Sequence, residues 1–432
     1  MAIKRTLGVV AAVTAAALLL AGCSTGSSST SSKPKGTITV LTNRTDLVKT
    51  DFVKYAKEFE KAYPGTTVKF QAITNYEGDV AVRLNSKNFG DVLDIPNSVK
   101  PAQLAQFFVP FGTVAALGKK WRFIHQEAYN GKVYGISTFG NAQGLVYNKK
   151  VWAKAGVTSP PTTPAAFIAD LKKIKANTSA IPYYTNYKDQ WPLSQWQGNI
   201  GLTGDANANN ELTNSNAPWT PGQPEYIADN LLFNVVKDGL NEPDPTTTAW
   251  ENSKTLLGSG KIATMLLGSW AISQMQAAAV TAGGKASDIG YLPFPYQKDG
   301  KFYSTISSDY TLGVSKYSSN KVTAEAWVQW FNTKSGFAAS QGAIAPQVGS
   351  ANPATLADFT TDKVNYIEEN PAPAGKESLQ ANIASAAQID INGYVYRQKL
   401  VDIARGAASG SESAYFAQLN SQWKAAKATA KP

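Results

Sequence analysis

Residues 131–152 read GKVYGISTFGNAQGLVYNKKVW. The pattern shifts twice along this stretch. Residues 133–136 (VYGI) make a short apolar, aromatic run of strand character, and residues 137–143 (STFGNAQ) bring glycine and amide side chains that favour open backbone. Residues 144–147 (GLVY) resume the strand pattern, and Asn148 then offers a cap for a helix over 149–156. A strand that leaves one sheet, exposes a polar pivot and enters another is how two lobes share a cleft. A plain hairpin fits the composition equally well, so the neighbouring segments have to decide.

Upstream, residues 37–41 (TITVL) alternate as a strand and end in the polar turn TNRTD. Phe52, Ala56, Phe59 and Tyr63 recur at helical spacing until Pro64-Gly65 stops them, and residues 67–73 (TVKFQAI) return as a strand. Strand, helix, strand predicts a right-handed βαβ unit with a parallel sheet. Ligands of such sheets sit beyond the carboxyl ends of the strands, which nominates Asn43 and Arg44. A helix over 77–88 and a buried strand over 91–95 (DVLDI) follow, and the same argument nominates Asp94, Asn97 and Ser98.

Downstream, the spacing predicts a helix over 164–175, a strand over 181–185, and a tryptophan-bearing segment DQWPLSQW over 189–196. Residues 206–222, rich in Asn, Thr and Pro, read as a long surface loop. A helix over 225–237 precedes a strand over 261–267 (KIATMLL) closed by Gly268-Ser269-Trp270. Residues 289–295 and 310–315 read as strands, and helical periodicity occupies 324–332, 334–341, 353–362, 395–407 and 411–426.

At 432 residues the chain can hold two or three domains with real cores. Charged residues are 17%, below the roughly 25% of ordinary soluble chains, while 10 Trp, 19 Tyr and 17 Phe are present. That mixture suits uncharged polar ligands. The net charge of +10 is scattered rather than blocked, which speaks against a nucleic-acid partner.

Chemistry-bearing motifs are few. Gly258-Ser259-Gly260-Lys261 lacks both the first glycine and the following hydroxyl of a phosphate loop. His125, in WRFIHQEAY, is the only histidine, so no two-histidine metal site and no serine triad with a spare base can be built. No cofactor is expected. Asp94, Asp309 and Asp390 could in principle supply paired carboxylates, but their spacing selects no pair. Trp191 and Trp270 stand beside Pro or Ser at element ends, where an indole can reach a cleft. Sugar rings stack their C–H faces on aromatics, and their hydroxyls need carboxylates, amides and Arg around the edge.

Lys4 and Arg5 followed by apolar residues 7–20 and Leu20-Ala21-Gly22-Cys23 form a targeting segment. The apolar run falls short of the roughly 20 residues that span a bilayer. LAGC resembles the lipobox of bacterial lipoproteins, which implies removal of residues 1–22 and a diacylated Cys23 as membrane anchor; an ordinary secretory signal is the alternative. Cys23 is the only cysteine, so no intrachain disulfide can form. Residues 23–35, rich in Ser, read as a flexible tether.

In order, the lipobox, TITVLTNR, FEKAYPG, GDVLDIP, GKVYGI…GLVYNKKVW, GKIATMLLGSW and IGYLPFP resemble the extracellular solute-binding proteins of carbohydrate importers, the group that contains the maltose-binding protein. The resemblance covers nearly all of the chain after the tether. It implies a two-lobe α/β fold, each lobe a mostly parallel sheet flanked by helices and joined by strand crossovers. Residues 36–140 and about 297–335 would form the first lobe, and 141–296 and about 336–432 the second. It implies capture of a saccharide outside the cell, delivery to the membrane permease of an ABC transporter, no catalysis and a monomeric state. A cell-surface glycoside hydrolase and a polysaccharide-binding adhesin are the competing readings. The resemblance also carries the ligand contacts to Asn43, Arg44, Asp94, Asn97, Trp270, Asp309, Tyr310 and, loosely, Tyr394 or Tyr396. Asn141 stands where the maltose binder has an acidic residue, which points away from maltose; Gln143 shares its pivot, and Trp191 joins the aromatic candidates.

Overall fold

The computed structural model describes residues 33–431; the leader, Cys23 and most of the tether lie outside them. Residues 34–432 form one compact unit.

The first sheet begins where the TITVL alternation predicts it. Strand Gly36–Thr42 buries Ile38, Val40 and Leu41 and lies parallel to both Thr66–Ala72 and Val92–Asp94. Helix Asp51–Ala62 turns Phe52, Tyr55, Ala56 and Phe59 onto the core, because positions three and four apart share one face. The rings of Phe52, Tyr55 and Phe59 meet Phe331 and Trp327 of helix Lys321–Lys334 edge-on. Gly65, at φ +89°, supplies the left-handed turn that returns the chain to the sheet.

The second sheet is centred on Gly140–Asn148, which pairs antiparallel with Thr264–Gly268, Ile289–Leu292 and Tyr303–Ser308. Asn365–Glu368 adds a parallel strand to Tyr303–Ser308. The two-lobe α/β architecture is as expected, but the sheets are mixed rather than mostly parallel. Strand Thr311–Val314, which returns from the other lobe, enters the first sheet antiparallel to Val92–Asp94, and Gly135–Ser137, which leaves for the other lobe, pairs antiparallel with it.

Residues 131–152 therefore make a crossover and not a hairpin. Gly135–Ser137 pairs in the first sheet and Gly140–Asn148 in the second, with only Thr138 and Phe139 between them. The expected seven-residue polar pivot is thus two residues long, because Asn141 and Gln143 are already in register with the second sheet. Asn148 caps helix Lys149–Lys154 by accepting from the Val151 amide. A second crossover, Tyr303–Ser308 into Thr311–Val314, runs antiparallel beside the first. Residues 303–308, expected with the first lobe, pair in the second sheet, so the return falls at Asp309. Likewise Phe337 and Ala343, expected in the second lobe, pack in the first-lobe core before Ile344 bridges to Gly140.

Several local expectations change. Residues 181–185 form only an isolated bridge, Ile181 to Ile262. The supposed surface loop contains helix Ala208–Asn214 and buries Trp219, whose indole N–H donates to Asp229 at 2.8 Å. Asp229 and Arg397, both almost wholly buried, pair at 2.8 Å inside the second lobe.

Candidate functional site

A cavity of about 500 Å³ opens between the lobes against the crossovers. Asn43, Arg44, Asp94, Trp270, Asp309 and Tyr310 all line it, drawn from both lobes and from the return strand.

The turn after the first strand holds Arg44 rigidly. Its Nε and Nη2 donate to the two carboxylate oxygens of Asp46 at 2.9 and 2.7 Å, and its Nη1 donates to Gln341 Oε1 at 2.7 Å. A bidentate pair of this kind fixes direction as well as charge. The Arg44 side chain also holds the Asp46 carboxyl below the usual range. The guanidinium lies 5.9 Å from the centre of the Phe337 ring.

Asp94 ends the third strand and is buried. Burial pushes its carboxyl up to about 7; the Asn43 amide and Thr42 hydroxyl pull the other way, while the Asp309 charge adds to the rise. Burial also raises Asp309, opposed by Asn141. Asp309 sits between the two halves of the return crossover. Its Oδ2 accepts from Asn141 Nδ2 at 3.1 Å and its Oδ1 from the Tyr310 amide at 2.9 Å. Tyr310 donates its hydroxyl to Glu77 at 2.7 Å. The site thus offers carboxylate and amide acceptors beside a fixed cation.

Trp270 follows the strand Thr264–Gly268 and caps helix Ala271–Thr281. Its ring is half-buried, 5.7 Å from Trp191 and 5.6 Å from Trp250. Trp191 is consequently a support behind Trp270 and does not line the cavity. Asn97 is exposed and bonded to Glu77 at 3.2 Å, one step removed from Tyr310. Asn141 is buried beneath Asp309. Gln143 packs over Gly198. Tyr394 precedes helix Val395–Ala404 and packs on the second-lobe core, while Tyr396 is buried there; neither lines the cavity.

Sequence reasoning missed Thr138, Ser273, Phe337 and Gln341, which line the same cavity. Phe337 and Gln341 arrive by the third connection between the lobes, which carries no strand signal. Among the described residues no cluster of His, Cys, Asp and Glu could hold a metal ion, and no helix is long and apolar enough to cross a membrane.

Two lobes, three connections and a cleft lined from both sides define a binding protein of the two-lobe kind. Residues 47–336 match the model of the bacterial extracellular solute-binding protein family, and the chain belongs to that family. Its place is accordingly outside the cytoplasm. BlMnBP1 of Bifidobacterium animalis subsp. lactis, solved with mannobiose, is 35% identical, with 91% of this chain and 95% of that one covered and a TM-score of 0.81. BlMnBP2 of the same organism, solved with mannotriose, is 33% identical over 93% of this chain and 96% of that one, with a TM-score of 0.82. A binding protein of Brucella abortus is 25% identical over 250 residues, 52% of this chain; the chain spans about half, 56%, of that relative's length.

Proposed function

We propose that this chain is the substrate-binding subunit of an ABC sugar importer and that its ligand is a neutral oligosaccharide of the manno-oligosaccharide class. The observation that carries the reading is the Trp270 indole, backed by two further tryptophans, facing a cavity edged by Asn43, Arg44, Asp94 and Asp309. An aromatic face with hydrogen-bonding groups around it suits a pyranose ring. The two Bifidobacterium neighbours, similar over nearly the whole chain, carry mannobiose and mannotriose, which supports the choice of sugar.

In this reading the lobes close over the sugar about the crossovers, and the closed form is favoured by the difference in binding energy between the two states. The loaded monomer then docks on the permease. Cys23 carries the lipid that keeps the protein at the membrane, with residues 24–35 as tether. The chain performs no catalysis of its own. The test is incubation of residues 34–432 with manno-oligosaccharides of increasing length: saturable binding with the sugar recovered intact supports the reading. Cleavage would turn Asp94 and Asp309 into hydrolase candidates, and binding only to insoluble mannan would favour an adhesin.

A further inference from the structure

The parallel strands of the first sheet carry Asn43 and Asp94 to the cavity at their carboxyl ends and gather their amino ends at the far end of the lobe. Strand Gly36–Thr42 has seven residues, and at about 3.3 Å each they put roughly 20 Å between the two ends. The chain enters the fold at this far end. The Lys35 amide donates to the Thr323 hydroxyl at 2.9 Å, that hydroxyl donates back to the Lys35 carbonyl at 2.6 Å, and Asn320 Nδ2 donates to the Thr37 carbonyl at 2.8 Å.

Five exposed lysines, Lys35, Lys61, Lys87, Lys316 and Lys321, surround this entry. Among the described residues none of the five pairs with a carboxylate, whereas Lys149, Lys150, Lys172, Lys173 and Lys254 of the second lobe each do. The neighbouring carboxylates are engaged elsewhere: Asp91 accepts from the Thr39 amide and the Ser318 hydroxyl, and Glu60 from the Val68 amide. Tyr317 is exposed in the middle of the group, with the Lys87 and Lys316 ammonium groups 5.6 and 5.7 Å from its ring centre and the Phe89 ring edge-on beneath it at 5.9 Å. Lys87 holds its place with φ +59°, a left-handed conformation that persists only where the surroundings enforce it.

We propose that this end of the first lobe is a membrane-contact surface, on which Lys35, Lys61, Lys87, Lys316 and Lys321 meet anionic lipid headgroups and Tyr317 sits at headgroup level. Clustered lysines are drawn to the negative surface of a bilayer, and an exposed tyrosine with an apolar body and a polar tip suits its interface. The ten residues 24–33 span at most roughly 35 Å, so the lipid read above for Cys23 would keep this end within reach of the bilayer. Contact at the end opposite the cleft leaves the cavity open to its ligand.

The experiment measures co-sedimentation of residues 34–432, which lack Cys23, with vesicles of phosphatidylglycerol or of phosphatidylcholine, so the outcome depends neither on the anchor nor on the choice of sugar. Native protein is expected to partition onto phosphatidylglycerol alone and to be released at about 1 M salt. The triple variant Lys61→Glu, Lys87→Glu and Lys316→Glu is expected to partition at least about tenfold more weakly. A control of equal charge change on the second lobe, Lys298→Glu, Lys301→Glu and Lys376→Glu, is expected to lose much less. Should the charge-reversed triple fail to melt cooperatively, Lys61→Gln, Lys87→Gln and Lys316→Gln takes its place, with a smaller loss in the same direction. Equal partition of native protein onto the two vesicle types overturns the proposal, as does a triple variant that sediments like native protein or a control that loses as much. Binding to soluble polyphosphate without binding to either vesicle overturns it too, making the surface a polyanion site.

Discussion

The side-chain amide of Asn141 donates to the Asp309 carboxylate at 3.1 Å, a side-chain bond that adds to the backbone pairing of the outgoing crossover strand with the returning one. Ser269 donates in turn to Asn141 Oδ1 at 3.4 Å, linking the strand that carries Trp270 to the same pivot. Pivot and cleft are thus one connected polar group.

Asn141→Ala removes the donor and leaves Asp309, already raised by burial, less well satisfied. The expected cost is about 1–3 kcal/mol of stability at pH 7, read by urea denaturation. Asn141→Asp places a second carboxylate against Asp309 and is expected to be more destabilising at pH 8 than at pH 5.

The stability of the protein should fall as pH rises through the acid-to-neutral range. Asp94 moves from an unfolded value near 3.8 up to about 7 in the fold, so the folded state binds more protons between those limits. Its favourable contribution is complete below about 3.8 and is lost as pH rises to about 7. Glu225, raised to about 7 by its burial, acts in the same direction. Asp94→Asn should flatten the stability profile between pH 4 and 7; an unchanged slope would mean that Asp94 is ionised throughout.

Gly140→Ala builds a methyl 2.2 Å from the Phe123 ring. Overpacking of this kind costs about 1–3 kcal/mol. The double variant Gly140→Ala with Phe123→Ala should recover part of that loss in thermal melts, which independent effects of the two substitutions would not produce.

Arg397→Leu strands Asp229 inside the second lobe, where the two now pair at 2.8 Å and Arg397 Nη2 also donates to Gln197 at 2.8 Å. Loss of one partner of a buried pair costs about 3–5 kcal/mol. Calorimetry should show a lower melting temperature; a change of a degree or less would mean that the Trp219 indole alone satisfies Asp229.

Much of this site can be read in the sequence, because Asn43, Arg44 and Asp94 sit where strands stop and Trp270 stands between a strand and a helix. Those places are fixed by local pattern. Side-chain aim is not: Gln143 packs over Gly198 because strand register decides its face, and Tyr394 packs on a helix-bearing core. Phe337 and Gln341 lie in the stretch whose helical periodicity is legible over 334–341, but they reach the cleft only through tertiary packing. The Asn- and Pro-rich 206–222 stretch hides Leu212 and Trp219, whose burial depends on partners far along the chain. The segment WRFIHQEAY reads as helix-like, and nothing in it announces a left-handed Phe123.

The most direct test titrates mannotriose into residues 34–432, native and Trp270→Ala, by isothermal calorimetry. Native protein should bind one mannotriose per chain at micromolar affinity or tighter. Trp270→Ala should melt as native does and lose about 1–3 kcal/mol of binding energy, through lost stacking and lost apolar burial. Equal affinity in the two proteins would remove Trp270 from the site, and absence of binding to mannotriose and to every other neutral oligosaccharide tried would contradict the sugar-capture account.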